Sequence, residues 1–345
     1  MMPASCRYLL HSKTSLLLIA AVVSAWIVGS GARILEQPLV IGGVAADFPP
    51  ELVDWAPGPQ NPVFTPGGAG CWDLRIRERG WILREDGAYH LWYTGYDGTR
   101  QGTKLLGYAV SDDGLHWKPS LRNPLCRGHW VEDVMVLKRG DTYYMFAEGA
   151  HGHAELLTSK NRVDWNWEGP LEIRTADGKR DALQPCGTPT VWLENGVWYL
   201  FYERQDLGVW LATSKNPLSR VWTNVQDDPV LVPGPANYDK QLIALDQIIK
   251  HDGAYFAFYH ACDEKTPRTW NTNVARSTDL IHWQKYPGNP IVEDNKSSGI
   301  IVSDGRGYRL YTMHEQVDVF YSRTAKLSLA KASRIAPKTS GANGQ

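Results

Sequence analysis

Five aromatic stretches decide the fold: Tyr89-His-Leu-Trp-Tyr93, Tyr143-Tyr-Met-Phe-Ala147, Trp198-Tyr-Leu-Phe-Tyr202, Tyr255-Phe-Ala-Phe-Tyr259 and Tyr308-Arg-Leu-Tyr-Thr312. Their first residues are 54, 55, 57 and 53 positions apart. Each follows a glycine turn: Asp86-Gly87, Arg139-Gly140, Asn195-Gly196, Asp252-Gly253 and Asp304-Gly305. Short apolar runs such as Val134-Met-Val-Leu137 and Gln247-Ile-Ile249 precede the turns. Apolar run, Gly-containing turn and aromatic run form a β-hairpin signature, here repeated five times.

A second motif follows four of the hairpins: Ser111-Asp-Asp-Gly-Leu-His-Trp117, Ser159-Lys-Asn-Arg-Val-Asp-Trp165, Ser214-Lys-Asn-Pro217 leading to Trp222, and Ser277-Thr-Asp-Leu-Ile-His-Trp283. A strand such as Leu106-Gly-Tyr-Ala-Val110 comes before it and a short one after it. Each unit of about 55 residues thus supplies four strands, the content of a propeller blade. The expected fold is all-β, a five-bladed β-propeller with four-stranded antiparallel blades, over 71–325. The fifth Ser motif is degenerate at Tyr321-Ser-Arg323. The Pro- and Gly-rich stretch 33–70 reads as a linker plus an N-terminal strand that completes the last blade, and 326–345 as a flexible tail.

Residues 1–32 read as a secretory signal. Arg7, His11 and Lys13 precede the apolar run Leu16–Val28, and Ser30-Gly31-Ala32 offers a cleavage site. Thirteen apolar residues are short for a bilayer span; an uncleaved signal anchor is the alternative, and only then is a membrane expected as a partner. Export permits disulfides. Cys71, Cys126, Cys186 and Cys262 remain beyond the signal, and the expectation is mostly buried thiols with pairing left open. The chain carries 36 Lys plus Arg against 37 Asp plus Glu, a net charge of −1. No basic field exists to hold nucleic acid. No phosphate loop, zinc signature or dinucleotide fingerprint appears, so no cofactor and no metal are expected. Asp97-Gly98 and Asp112-Asp-Gly114 are explained by turn chemistry. A monomer is expected.

The Ser…Asp…Trp turns and the stretch Glu132-Asp-Val-Met-Val136…Gly140-Asp-Thr-Tyr-Tyr-Met145 resemble the arabinanase, levansucrase and invertase superfamily, which includes glycoside hydrolase families 32, 43, 68, 117 and 130. The resemblance covers about Cys71 to Arg323. It implies a five-bladed propeller acting on glycosidic bonds, with carboxylates at the mouth of its central funnel and an Asp at the start of innermost strands. Asp133 and Asp246 match that position, each seven residues before its turn glycine. The first blade lacks the usual Asp-Pro dipeptide and offers Asp73 and Arg77-Glu-Arg-Gly80 instead; the third has Cys186-Gly-Thr-Pro189 where an acid often stands.

Hairpin geometry brings the start of each inner strand beside the end of the following one. One rim therefore gathers Glu78, Glu132 with Asp133, and Asp246 from the inner strands, and Glu148, Glu203 and His260 from the aromatic ones. Glycosidic cleavage needs a proton donor for the leaving oxygen and a carboxylate that activates water or attacks. Asp133 is the foremost essential carboxylate and Asp246 the second. Glu203 and Glu148 are candidate acids, since burial raises a Glu pKa, and Glu78 is a candidate base. His260 and His314 are expected to bind hydroxyls or modulate proton transfer. The alternative is that these acids pair with Arg75, Arg77, Arg79 or Arg204 and only hold blades together. Trp72, Trp130, Trp210 and Trp270 lie outside the repeated turns and are the candidate sugar platforms, whereas Trp117, Trp165, Trp222 and Trp283 are blade packing. The expected activity is hydrolysis of a poly- or oligosaccharide, with inversion implied by families 43 and 117. A phosphorylase like family 130, and a carbohydrate-binding propeller without catalysis, are the alternatives.

Overall fold

A computed structural model of the chain describes residues 47–181, 185–263 and 269–324. The signal (1–32), residues 33–46 of the linker and the tail (326–345) lie outside the described residues. None of the described helices is long and apolar enough to cross a membrane.

Five small sheets follow one another along the chain, as the repeat predicts. Blade 1 runs Arg75–Glu85, Ala88–Tyr96, Leu105–Ser111 and Lys118–Pro119; blade 2 runs Glu132–Arg139, Thr142–Glu148, Ala154–Ser159 and Trp165–Pro170. Blade 3 comprises Gly187–Glu194, Val197–Glu203, Val209–Ser214 and Val221–Asn224, and blade 4 Leu242–His251, Ala254–Cys262, Trp270–Ser277 and Gln284–Lys285. Blade 5 holds Ile300–Ser303, Tyr308–Met313 and Val317–Ser322; its fourth strand is Trp55–Pro57, antiparallel to Val317–Ser322. The chain's two ends thus share one sheet, which closes the ring without an exposed inner edge. Blade 3 differs from the four-strand pattern by a fifth outer strand, Glu172–Arg174, paired parallel to Val221–Asn224. The inner strands contact one another in sequence, and that of blade 5 returns to that of blade 1.

Turn chemistry accounts for the hairpins. Asp86-Gly87, Asn195-Gly196 and Asp252-Gly253 each take positive φ at both residues, the type I′ geometry whose twist matches paired strands. The Ser…Trp turns are stapled internally. Ser111 Oγ accepts the Gly114 N–H at 2.9 Å and Asp113 Oδ1 accepts those of Leu115 and His116 at 2.8 and 2.9 Å. Ser277 and Asp279 repeat the arrangement in blade 4. Between blades the core is aromatic, with Trp92, Trp198 and Trp222 fully buried. Cys126, Cys186 and Cys262 are buried and Cys71 is exposed.

A guanidinium stands at the axis of the ring. Arg79 is fully buried and donates to the carbonyls of Pro189 (2.7 Å), Leu245 and Asp246 (3.2 Å each), to that of Asp133, and to Thr190 Oγ1. Its five-donor fork ties blade 1 to blades 2, 3 and 4. Its Nη1 and Nη2 are hydrogen-bonded in this way, which offsets much of the cost of burying the charge, while Nε is buried without a hydrogen-bond partner.

Candidate active site

Around Arg79 the inner strands of blades 1 to 4 each lose register with the following strand. Bulges fall between Arg77 and Trp81, Glu132 and Met135, Gly187 and Thr190, and Leu245 and Gln247. The extra residue in three of them sits at positive φ: Glu78 at 44°, Asp133 at 47° and Thr188 at 43°; Ser298, just before the inner strand of blade 5, is at 58°. Such conformations cost on the order of 1–3 kcal/mol each and concentrate at functional sites. Here they turn side chains from the sheet faces into the mouth of the funnel.

The result is a cavity of about 130 Å³ lined by Glu78, Glu132, Asp133, Glu148, Glu203 and Asp206, with Arg77, His260, His314 and Trp270 among the remaining walls. Carboxylate oxygens of Glu78, Glu132 and Asp133 lie within 4.8 Å of one another. Glu132 is fully engaged: it accepts from Arg77 Nε and, at 2.9 Å, from Trp130 Nε1. Arg77 also pairs with Glu78 at 3.0 Å. Asp133 Oδ1 accepts the Arg79 backbone N–H at 3.0 Å. On the facing wall Glu148 accepts the Thr188 N–H at 3.1 Å and Glu203 that of Asp206. A side-chain carbon on Gly187 would stand 2.1 Å from Glu203 Oε1 and 2.5 Å from Glu148 Oε2. The two carboxylates therefore converge over that glycine, which must lack a Cβ.

Crowding sets the protonation states. Burial, reinforced by the charge of Asp133, pushes Glu78 up to about 8. Burial, reinforced by Asp206, does the same to Glu203, also to about 8. Burial and then Asp133 raise Glu148 well above the usual carboxyl range. Asp133 rises only to about 6, because Arg79, His260 and Arg77 oppose burial and the Glu132 charge. Burial would lower His260, but Asp246 overrides it and raises the imidazole to about 9; Nδ1–H donates to Asp246 Oδ1 at 2.7 Å. His314 has no such partner, and burial drives it down to about 4. At neutral pH the pocket thus holds an ionised Asp133, protonated Glu78, Glu148 and Glu203, and one imidazolium.

Of the residues singled out in the sequence, the structure brings Glu78, Asp133, Glu148, Glu203, His260, His314 and Trp270 together. Asp246 does not reach the cavity: it is fully buried behind His260, its other oxygen accepting the Gly299 N–H at 3.2 Å. Three of the four candidate platforms also lie elsewhere. Trp72 packs on Tyr93, Trp130 is held by Glu132 with Lys104 4.7 Å above its ring, and Trp210 stacks on Tyr202 with Arg204 above it. Arg204 pairs with Asp181, away from the pocket. The sequence places Thr188 and Ser298 only at inner-strand starts, with no role, and does not mark Asp206. Their signal is backbone conformation, with Asp206 at φ 58°, and no residue-type pattern marks them.

No family model matches the chain. It is 27% identical over 223 residues to a 1,2-beta-oligomannan phosphorylase of Thermoanaerobacter sp. (strain X514), a match spanning 59% of this chain and 70% of that protein. Among solved structures it is similar to a glycosyl hydrolase from Bacteroides ovatus, with a TM-score of 0.62 and 17% identity over 80% of this chain and 96% of that one. It is also similar to the beta-1,2-mannobiose phosphorylase of Listeria innocua in complex with beta-1,2-mannobiose, with a TM-score of 0.60 and 14% identity over 81% and 99% of the two chains. The resemblance to five-bladed propellers of the glycoside hydrolases is borne out.

Proposed function

We propose that the protein is a glycoside hydrolase that cleaves β-linked mannosides, with Glu203 as proton donor and Asp133 as the base that activates water. The observation that carries this reading is the pocket's set of acids: six carboxyl groups line it, with Asp133 ionised and Glu203 protonated at neutral pH, and its two cations are already committed. Arg77 is tied to Glu78 and Glu132, and His260 to Asp246. A phosphate dianion entering this cavity would meet the ionised Asp133, and the two cations of the described lining are already bound to carboxyl groups, whereas water is neutral and meets no such barrier. The mannoside assignment rests on the oligomannan-active relative and the mannobiose-bound structural neighbour. The sequence from Arg7 to Ala32 supports an exported enzyme.

In the reaction, water attacks the anomeric carbon while its proton passes to ionised Asp133. The glycosidic C–O bond breaks as Glu203 gives its proton to the leaving oxygen. Inversion at the anomeric carbon follows from attack opposite the leaving group. Protonated Glu78 and Glu148 serve as hydrogen-bond donors to sugar hydroxyls, and Trp270 offers its ring to an apolar sugar face. His260, fixed by Asp246, keeps a positive charge that offsets the negative charge passed to Glu203.

The test is product identity. With β-1,2-manno-oligosaccharides the expected product is free mannose, at a rate that inorganic phosphate does not raise. Mannose 1-phosphate formed in proportion to added phosphate would instead establish a phosphorylase. An aryl mannoside with an activated leaving group should rescue Glu203→Gln but not Asp133→Asn; the converse rescue would reverse the two roles.

A further inference from the structure

The acid pocket, at about 130 Å³, falls below the roughly 300–1,000 Å³ of ordinary ligand sites. A substrate longer than one sugar must therefore extend out of it. The walls show where. Trp270 lines both the acid pocket and a neighbouring cavity of about 390 Å³ that includes Asn237, Tyr238 and Asn271. His314 likewise joins the acid pocket to a cavity of about 190 Å³. Both share lining residues with a third, of about 730 Å³, bordered by Trp55 and Phe320. Asp294 borders all three of these outer cavities. The four cavities thus adjoin one another through shared walls, from the acid pocket across the seam between blades 4 and 5.

Resting on the hydrolase reading above, we propose that this seam is a binding groove for the sugars beyond the scissile bond, and that the preferred substrate is a neutral oligosaccharide chain of four or more units. The lining matches such a ligand. Asn237 offers its amide and Gln316 its Oε1 to sugar hydroxyls, Gln316 Nε2 being held by Asp318, while Tyr238 and Asn271 border the groove with side chains hydrogen-bonded within the protein. Charge argues for a neutral chain. Glu293, Asp294, Glu315 and Asp318 border the groove, against Lys296, which is paired with Asp318. A glycan bearing uronate, sulfate or phosphate would be repelled along its length.

The experiment measures kcat/KM for β-1,2-manno-oligosaccharides of two to six units, and separately their affinity by calorimetry. The variants are Asp294→Asn and Gln316→Ala. Asp294 sits at φ 61°, where Asn is well tolerated, so that variant should fold. In the native protein kcat/KM should rise at least roughly tenfold from the disaccharide to the tetrasaccharide, the equivalent of one or two added hydrogen bonds. Both variants should pull that ratio towards one. Equal kcat/KM across the series, or variants that keep the full ratio, would overturn the groove. If no member of the series is cleaved, the hydrolase reading falls, and calorimetry still decides the groove. Affinity that rises tenfold with length and is blunted by Asp294→Asn supports it, whereas length-independent or undetectable binding overturns it.

Discussion

Replacing Asp246 with Asn tests how the pocket keeps its positive charge. Asp246 is the main influence holding His260 near 9 against a burial that favours the neutral ring. Without that charge burial prevails, and the His260 pKa should fall below its ordinary 6.5. A raise of about two to three units corresponds to about 3 kcal/mol at 1.36 kcal/mol per unit. The sign follows from linkage. A histidine whose folded pKa lies above its unfolded one stabilises the fold fully below about 6.5, and the contribution is lost as pH rises through about 9. The variant should therefore melt on the order of 5–10 °C below the native protein at pH 6, and the gap should narrow steadily towards pH 9.5. A small pH-independent offset is expected as well, because the Asn amide would present a donor to the Gly299 N–H that Asp246 accepts. Melting curves from pH 5.5 to 9.5, with His260→Gln as background, isolate the pH-dependent part, and NMR titration of the imidazole reads its pKa directly. A constant gap across that range, or a native His260 titrating near 6.5, would refute the account.

Three further outcomes follow from the same geometry. The pH profile of kcat/KM should be bell-shaped with apparent pKa values near 6 and near 8, set by loss of a proton from Asp133 and then from Glu203. A profile flat from pH 5 to 9 would remove both groups from the chemistry. Asp133→Asn should lower kcat by about 10²–10⁴ without lowering the melting temperature, since Asn tolerates positive φ and the change relieves repulsion from Glu132; a cooperative loss of folding would make Asp133 a structural residue. Gly187→Ala should cost at least roughly tenfold in kcat/KM by driving apart Glu148 and Glu203, and a fully active variant would show that their approach is dispensable.

The blades were legible because each is local. Hairpin turn, aromatic strand and Ser…Trp staple lie within some 55 residues and act through φ > 0 turns and short hydrogen bonds that residue type dictates. The rim argument, from the antiparallel neighbourhood of strand ends, brought Glu78, Asp133, Glu148, Glu203 and His260 to one mouth. It could not tell a side chain in the cavity from one behind it. Asp246 has the residue type and spacing of Asp133, yet its bulge turns it to the back of His260. The tryptophans misled for a related reason: outside the repeat there is no register, so Trp72, Trp130 and Trp210 could not be told from Trp270 without their neighbours.

By itself the sequence determined a ring of five blades, its closing seam and the set of acids at one end, because periodicity and turn chemistry propagate along the chain. Only the tertiary structure decided which acids face one another, which cations are already taken and how protons divide among them. Those properties come from burial and from charges on different blades, which meet in space at sequence separations that no local pattern records.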